Sequence, residues 1–166
     1  MRFFLQNLRN YDALIKKNTV IELLVGSESR KKVKLWEDLA KEVSLKYGID
    51  IYLEIRPSNF IERLAMADLA ILSGGLTIFD AVSLGIPSIG LPQYDHQLKT
   101  IIKLKEKMAL QIGSEGMRLD HSFFLRSFNK LMTSKNTRMS LKNIGPILID
   151  RKGNERVINI LSAYIN

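Results

Sequence analysis

Two polar clusters carry the residue types that bind anions and sugar hydroxyls. The first is Ser73-Gly74-Gly75-Leu76-Thr77, followed by Asp80. It comes after the apolar run Leu69-Ala70-Ile71-Leu72, so it reads as a buried strand, a glycine turn and the start of a helix. Glycine lets a ligand approach the backbone closely, and the first N–H groups of a helix lack intrahelical partners. Those of Leu76 and Thr77, with the Thr77 hydroxyl, suit phosphate oxygens. The same residues also suit a tight turn that needs glycine only for its dihedral angles. Asp80, one turn into that helix, either accepts two hydrogen bonds from a ribose diol or is a first-turn acid stabilised by the helix dipole.

The second cluster is Tyr94-Asp95-His96-Gln97, again after a short apolar strand. Asp95 and Gln97 can hold sugar hydroxyls, and His96 can contact a phosphate or act as a base. Alternatively Asp95 is a plain helix cap with solvated neighbours. The chain has two histidines and no cysteine, with no His-x-x-x-His pair. No metal site and no cofactor are therefore expected. His121, beside the cap Asp120, reads as a surface residue. No nucleophile–base–acid set or carboxylate pair stands out, so the chain shows a binding surface and leaves the catalytic residues unassigned.

Alternating strands and helices must position these clusters. Residues 3–17 have apolar positions at Phe4, Leu8, Tyr11 and Ile15, near helical spacing. Strands are expected at 19–25, ending at Gly26, and at 49–55, 68–72, 87–91 and 109–112. Between them lie helices from Ser27 or Ser29 to Gly48, after Pro57-Ser58-Asn59, from Thr77 to Leu84, and from Asp95 or His96 to Lys107. Asp120 caps a further helix, and another runs from Ser134 to Asn143 and stops at Gly145-Pro146. A last helix from about Asn154 packs Val157, Ile158, Ile160 and Leu161 inward. This order implies an α/β fold, a parallel sheet with helices on both faces. Such sheets bind ligands beyond the carboxyl ends of their strands, where both clusters are placed.

At 166 residues the chain fits one domain over 1–166, and no apolar stretch approaches the length of a membrane span. The first ten residues turn polar too soon for a signal peptide, so the cytoplasm is the default compartment. The net charge is +8. Ten Lys/Arg against three Asp/Glu lie between Lys99 and Lys142, a balance of 10 − 3 = +7. With no nucleic-acid motif beside them, these cations read as a solvated helix face, and no nucleic-acid partner is expected.

The central block resembles a known family. Ala67-Asp68-Leu69-Ala70-Ile71, then Ser73-Gly74-Gly75, Thr77 and Asp80, then Gly85-Ile86-Pro87-Ser88-Ile89 and Asp95-His96-Gln97 resemble the C-terminal, donor-binding domain of two-domain (GT-B) glycosyltransferases, family 28 in particular. The tail Ile149-Asp150-Arg151-Lys152-Gly153-Asn154-Glu155-Arg156-Val157 is similar to the ending of the UDP-sugar hydrolases of pseudaminic acid biosynthesis and of related spore-coat polysaccharide proteins. The resemblance covers nearly the whole chain.

It implies a Rossmann-like domain that binds a UDP-sugar in surface polysaccharide or nonulosonic acid biosynthesis. Gly74, Gly75, Leu76 and Thr77 would lie against the diphosphate, with Ser73 beside them. Asp80 stands where the family has a ribose-binding Glu, one methylene longer. Asp95 and Gln97, flanking His96, match positions that contact the donor sugar. Gly26 and Ile55-Arg56 would lie near the nucleobase pocket. Two departures stand out: the family's central first strand is missing, and so is the N-terminal domain that supplies the acceptor site and usually the catalytic base. An acceptor-domain subunit is therefore the implied partner, with any membrane contact indirect, through a lipid-linked acceptor. The alternative is a noncatalytic or degenerate donor-domain fragment.

Overall fold

The computed structural model describes residues 4–5, 19–26 and 29–165. Of the helix expected over residues 3–17, only Phe4 and Leu5 lie among them; both are helical and buried. The remaining elements alternate as β1 (Val20–Val25), α1 (Arg30–Tyr47), β2 (Asp50–Ile55), α2 (Phe60–Met66), β3 (Ala70–Leu72), α3 (Thr77–Ser83), β4 (Ser88–Gly90), α4 (Asp95–Glu106) and β5 (Gln111–Ile112). Three helices follow: α5 (His121–Thr133), α6 (Lys135–Leu148) and α7 (Gly153–Ile165). All strand pairs are parallel, with helices between them, and the expected α/β, Rossmann-like class holds.

The strands do not form one sheet. β1 pairs with β2, and β3-β4-β5 form a separate ladder. No strand pairing among the described residues links one set to the other. The chain divides into two compact units, Met1–Arg63 and Leu64–Asn166.

In the first unit, β1 and β2 run in register from Val20↔Asp50 to Val25↔Ile55. Leu23 and Val25 of β1 are buried, as are Ala40 and Val43 of α1. Gly48, in the left-handed region at φ 63°, ends α1 by donating its N–H to Ser44. Arg63 pairs with Glu22 of β1 at 3.2 Å and with Glu54 of β2, bridging the two strands.

In the second unit, β4 is central, and its Ser88, Ile89 and Gly90 are all buried. The core joins Ile78 and Val82 of α3, Ile101 and Leu104 of α4, and Ala109, Leu110 and Ile112 around β5. α5 adds Phe124 and Phe128, whose rings stack 6.0 Å apart, and its Ser127 hydroxyl donates to the Ile112 carbonyl at 2.6 Å. Its Asp120 cap accepts from the Phe123 N–H at 2.9 Å, as its position before an apolar run predicts.

Two sequence expectations are corrected in this unit. α6 does not stop at Gly145-Pro146 but continues to Leu148. Pro146 lies so near the end that little of the backbone ladder depends on its missing N–H. Gly145 earns its place by contact: a Cβ there would stand 2.2 Å from the Val82 carbonyl oxygen of α3. The second correction concerns α7, whose apolar stripe does not pack inward. Every described side chain from Arg151 to Tyr164 is exposed. The 3.6-residue pattern specifies that a helix has an apolar face, not what covers it.

Candidate functional site

The two polar clusters meet in the second unit. β3 and β4 are hydrogen-bonded neighbours, Ala70↔Ser88 to Leu72↔Gly90, so the loops leaving their carboxyl ends start side by side. The Leu91 N–H donates to the Leu72 carbonyl at 2.8 Å and extends that pairing to the loop mouth. The first loop is Ser73–Leu76, running into α3; the second is 91–94, running into α4.

Gly74 joins the loops. A Cβ at this position would stand 2.6 Å from Cβ, 2.9 Å from the carbonyl oxygen and 3.0 Å from Cα of Gln97. Only a residue without a side chain allows the first loop to rest on the opening turn of α4. Neither Gly74 nor Gly75 has a left-handed φ, so the turn does not need glycine for its dihedral angles. The close approach is the reason at 74. Gly75 is different: a Cβ there would meet only the Ser73 hydroxyl, at 3.9 Å, which leaves open space over its backbone.

Beyond Gly75 the chain turns at once into helix. Leu76 already has helical φ and ψ (−58°, −35°), and its side chain is 83% exposed. The Ile78 N–H donates to the Gly75 carbonyl at 3.1 Å and the Phe79 N–H to the Leu76 carbonyl at 2.9 Å. The N–H groups of Gly75, Leu76 and Thr77 donate to no other backbone group among the described residues. Asp80 follows in the first turn and is half-buried. Its carbonyl accepts from the Ser83 hydroxyl and the Leu84 N–H, so its backbone is held by the helix.

In the second cluster the cap is Tyr94, not Asp95: its carbonyl accepts from the N–H groups of Gln97 and Leu98, at 2.9 and 3.1 Å. Asp95 is the first helical residue, where a carboxylate is favoured by the helix dipole, and it is exposed. Tyr94 and His96 are exposed and stack, ring centroids 5.7 Å apart and 5° from parallel. Gln97 is buried, and its Oε1 accepts from the Gln93 N–H at 2.9 Å. Its carboxamide therefore braces the 91–94 loop, a role that spacing did not reveal. Among the described residues there is no group of three or more His, Cys, Asp or Glu that could hold a metal ion.

No protein-family profile matches the chain. It is similar to a spore coat polysaccharide biosynthesis protein, SpsG of Bacillus subtilis (strain 168). The two are 33% identical over 96 residues, which is 57% of this chain and 28% of that protein. The chain thus matches well under two thirds of its relative's length.

The other expected site residue, Gly26, belongs to the first unit, at the end of β1. Its carbonyl accepts from Arg56 Nε at 3.2 Å, and Arg56, at φ 52°, turns the chain sharply after β2. The third carboxyl-end loop of the β3-β4-β5 sheet, between β5 and α5, borders an open depression of about 520 Å³ that includes Ser114, Arg118, Asp120 and His121. Spacing did not mark it, because Ser114 acts through local geometry: its hydroxyl bonds the Gly116 and Arg118 carbonyls, both at 2.7 Å. Of the ten cations between Lys99 and Lys142, all but Arg138 are exposed, and Arg138 caps α5 by donating to the Leu131 and Met132 carbonyls. No described helix is long and apolar enough to cross a membrane.

Proposed function

We propose that the second unit binds the diphosphate and sugar of a UDP-sugar, for an enzyme of surface polysaccharide biosynthesis whose acceptor site is supplied by a companion unit. The observation that carries this reading is the seating of Gly74 on Gln97, which makes one surface from two clusters distant in sequence. The resemblance of the same residues to a donor-binding domain and the likeness to SpsG support it.

Each residue has a chemical role in this reading. The open backbone at Gly75 and the N–H groups of Leu76 and Thr77 take diphosphate oxygens, with the Thr77 hydroxyl as a further donor. Asp80 accepts from the ribose diol. Asp95 and His96, exposed at the start of α4, face the sugar, while Gln97 holds the loop that carries them. When the bond between the anomeric carbon and the phosphate oxygen breaks, its electron pair stays with the diphosphate. The same N–H groups then meet a larger charge than in the ground state, which is how a binding loop lowers a barrier. The attacking nucleophile, a water or an acceptor hydroxyl, and the base that takes its proton come from the companion unit.

Calorimetric titration with UDP, UMP and UDP-N-acetylglucosamine tests the reading. UDP should bind at least about tenfold more tightly than UMP, the equivalent of 1.4 kcal/mol lost with the second phosphate. Equal binding of the two, or no heat with any of the three, would overturn it.

A further inference from the structure

The second cluster presents an aromatic side chain that packing does not explain. Tyr94 is 60% exposed. Its main chain is nonetheless pinned on both sides by one residue. The buried Gln97 accepts from the Gln93 N–H through its Oε1 at 2.9 Å, and its own N–H donates to the Tyr94 carbonyl, also at 2.9 Å. Pro92, just before, is buried, and Gly74 of the first loop seats against the same Gln97. The Tyr94 side chain makes no cap hydrogen bond, so the start of α4 does not need it. It stacks instead on His96, ring centroids 5.7 Å apart and 5° from parallel, which sets the plane of the ring. The imidazole covers one face and the other stays open. A large flat side chain held in this way has little freedom left to lose when a ligand arrives, and recognition surfaces use tyrosine for that reason.

We propose that the open face of Tyr94 stacks on the pyranose ring of the donor sugar, which makes Tyr94 a specificity-determining residue of the candidate site. The inference rests on the UDP-sugar reading and deepens it. A pyranose matches the three consecutive side chains at the start of α4. One face of the sugar presents C–H groups, which pack against the negative face of an aromatic ring, while its hydroxyls stand around the edge. The exposed Asp95 carboxylate accepts from such hydroxyls, and the exposed His96 adds a second polar edge. The sugar is bonded directly to the diphosphate, and the seat of Gly74 on Gln97 sets the start of α4 against the diphosphate turn. The uracil fits this ring less well. The ribose separates it from the diphosphate, and Asp80 on α3 takes that ribose. The donor is thereby narrowed to a pyranose with an unobstructed C–H face.

Proton NMR of UDP-N-acetylglucosamine titrated with the full chain tests the proposal, alongside calorimetry with the same ligand and with UDP. Protons that lie over an aromatic face move upfield, so the sugar-ring protons should shift upfield on binding. Tyr94→Phe keeps the ring and should keep the shift. Tyr94→Leu keeps an apolar side chain without the ring and should remove most of the shift. It should also weaken UDP-N-acetylglucosamine binding about twofold to tenfold, the scale of one aromatic stacking contact. UDP affinity should stay unchanged in both variants, which also shows that the loops remain folded. Three results would overturn the proposal and leave the diphosphate site standing: a parent that binds UDP without an upfield shift of the sugar protons, a shift that survives Tyr94→Leu, or an equal loss of affinity for both ligands, as stacking on uracil would give. A parent that binds neither ligand would overturn the UDP-sugar reading, and this inference with it.

Discussion

Adding one methyl group at Gly74 separates the two explanations for its glycine. An alanine there places Cβ 2.6 Å from Gln97 Cβ and within 3.0 Å of two Gln97 backbone atoms. The backbone at the start of α4 cannot swing away as a flexible side chain would, so the loop or the helix must move. Overpacking of this kind costs about 1–3 kcal/mol. Against it stands the lower entropy of the unfolded chain when Gly becomes Ala, about 0.4–1 kcal/mol in favour of folding. The middle of the two ranges leaves a net loss of about 1.3 kcal/mol, or roughly 3–5 °C in melting temperature for a domain of this size. Gly75→Ala is the matched control. Its Cβ meets only the Ser73 hydroxyl at 3.9 Å, so stability should hold within about 0.5 kcal/mol. UDP affinity should nonetheless fall, because the new methyl stands over the backbone that the diphosphate approaches. Thermal and urea unfolding of both variants, with UDP titration of each, is the assay. If Gly74→Ala is as stable as the parent, the reasoning about the joined loops is refuted. If Gly75→Ala is the more destabilised of the two, the assignment of their separate roles is refuted.

Three further outcomes are expected. Asp80→Ala should weaken UDP binding by about tenfold to a hundredfold, the scale of a hydrogen bond to a charged group, while Asp80→Glu keeps most of it; calorimetry reads both. Gly145→Ala should destabilise by about 1–3 kcal/mol in urea unfolding, because its Cβ would meet the Val82 carbonyl oxygen at 2.2 Å and force α6 away from α3; unchanged stability would contradict that packing. The Arg156 side-chain hydrogen bond and the Lys152 N–H hold the Asp150 carboxyl below its ordinary value of 3.8. A lowered folded value means that the pairing supports the first turn of α7 fully above about pH 4 and is lost as the pH falls through that lower value. Protection of the amides in that turn, relative to the intrinsic exchange rate at each pH, should fall there, and Asp150→Asn should show the lowered protection at neutral pH; a turn indifferent to both would rule the linkage out.

Much of the fold was legible because buried parallel strands are short apolar runs bounded by turn residues. Val20–Val25, Asp50–Ile55 and Ala70–Leu72 all fall inside expected strands, and Asp120 and Ser134 stand at the caps where their side chains accept hydrogen bonds. What escaped depends on contacts between distant residues. Gly145-Pro146 reads locally as a stop, yet the approach of α6 to α3 at Val82 keeps the helix running. Gly74 reads either as a close approach for a ligand or as a dihedral requirement, and the structure adds a constraint from Gln97, in the first turn of α4. Gln97 reads as a ligand contact, and its burial and its bond to the Gln93 N–H add a bracing role that spacing does not carry. The stripe on α7 was legible as a stripe, and its exposure was not, since periodicity carries no information about what covers a face.

The central claim is that the turn at Ser73–Thr77 and the start of α4 form one nucleotide-sugar surface. Titration of the isotope-labelled chain with UDP, followed by residue-resolved amide NMR, tests it most directly. The account predicts saturable shifts confined chiefly to residues 73–80 and 94–97, with Gly75, Leu76 and Thr77 moving most. No shift at saturating UDP, or shifts centred on Ser114–Phe123 instead, would contradict it.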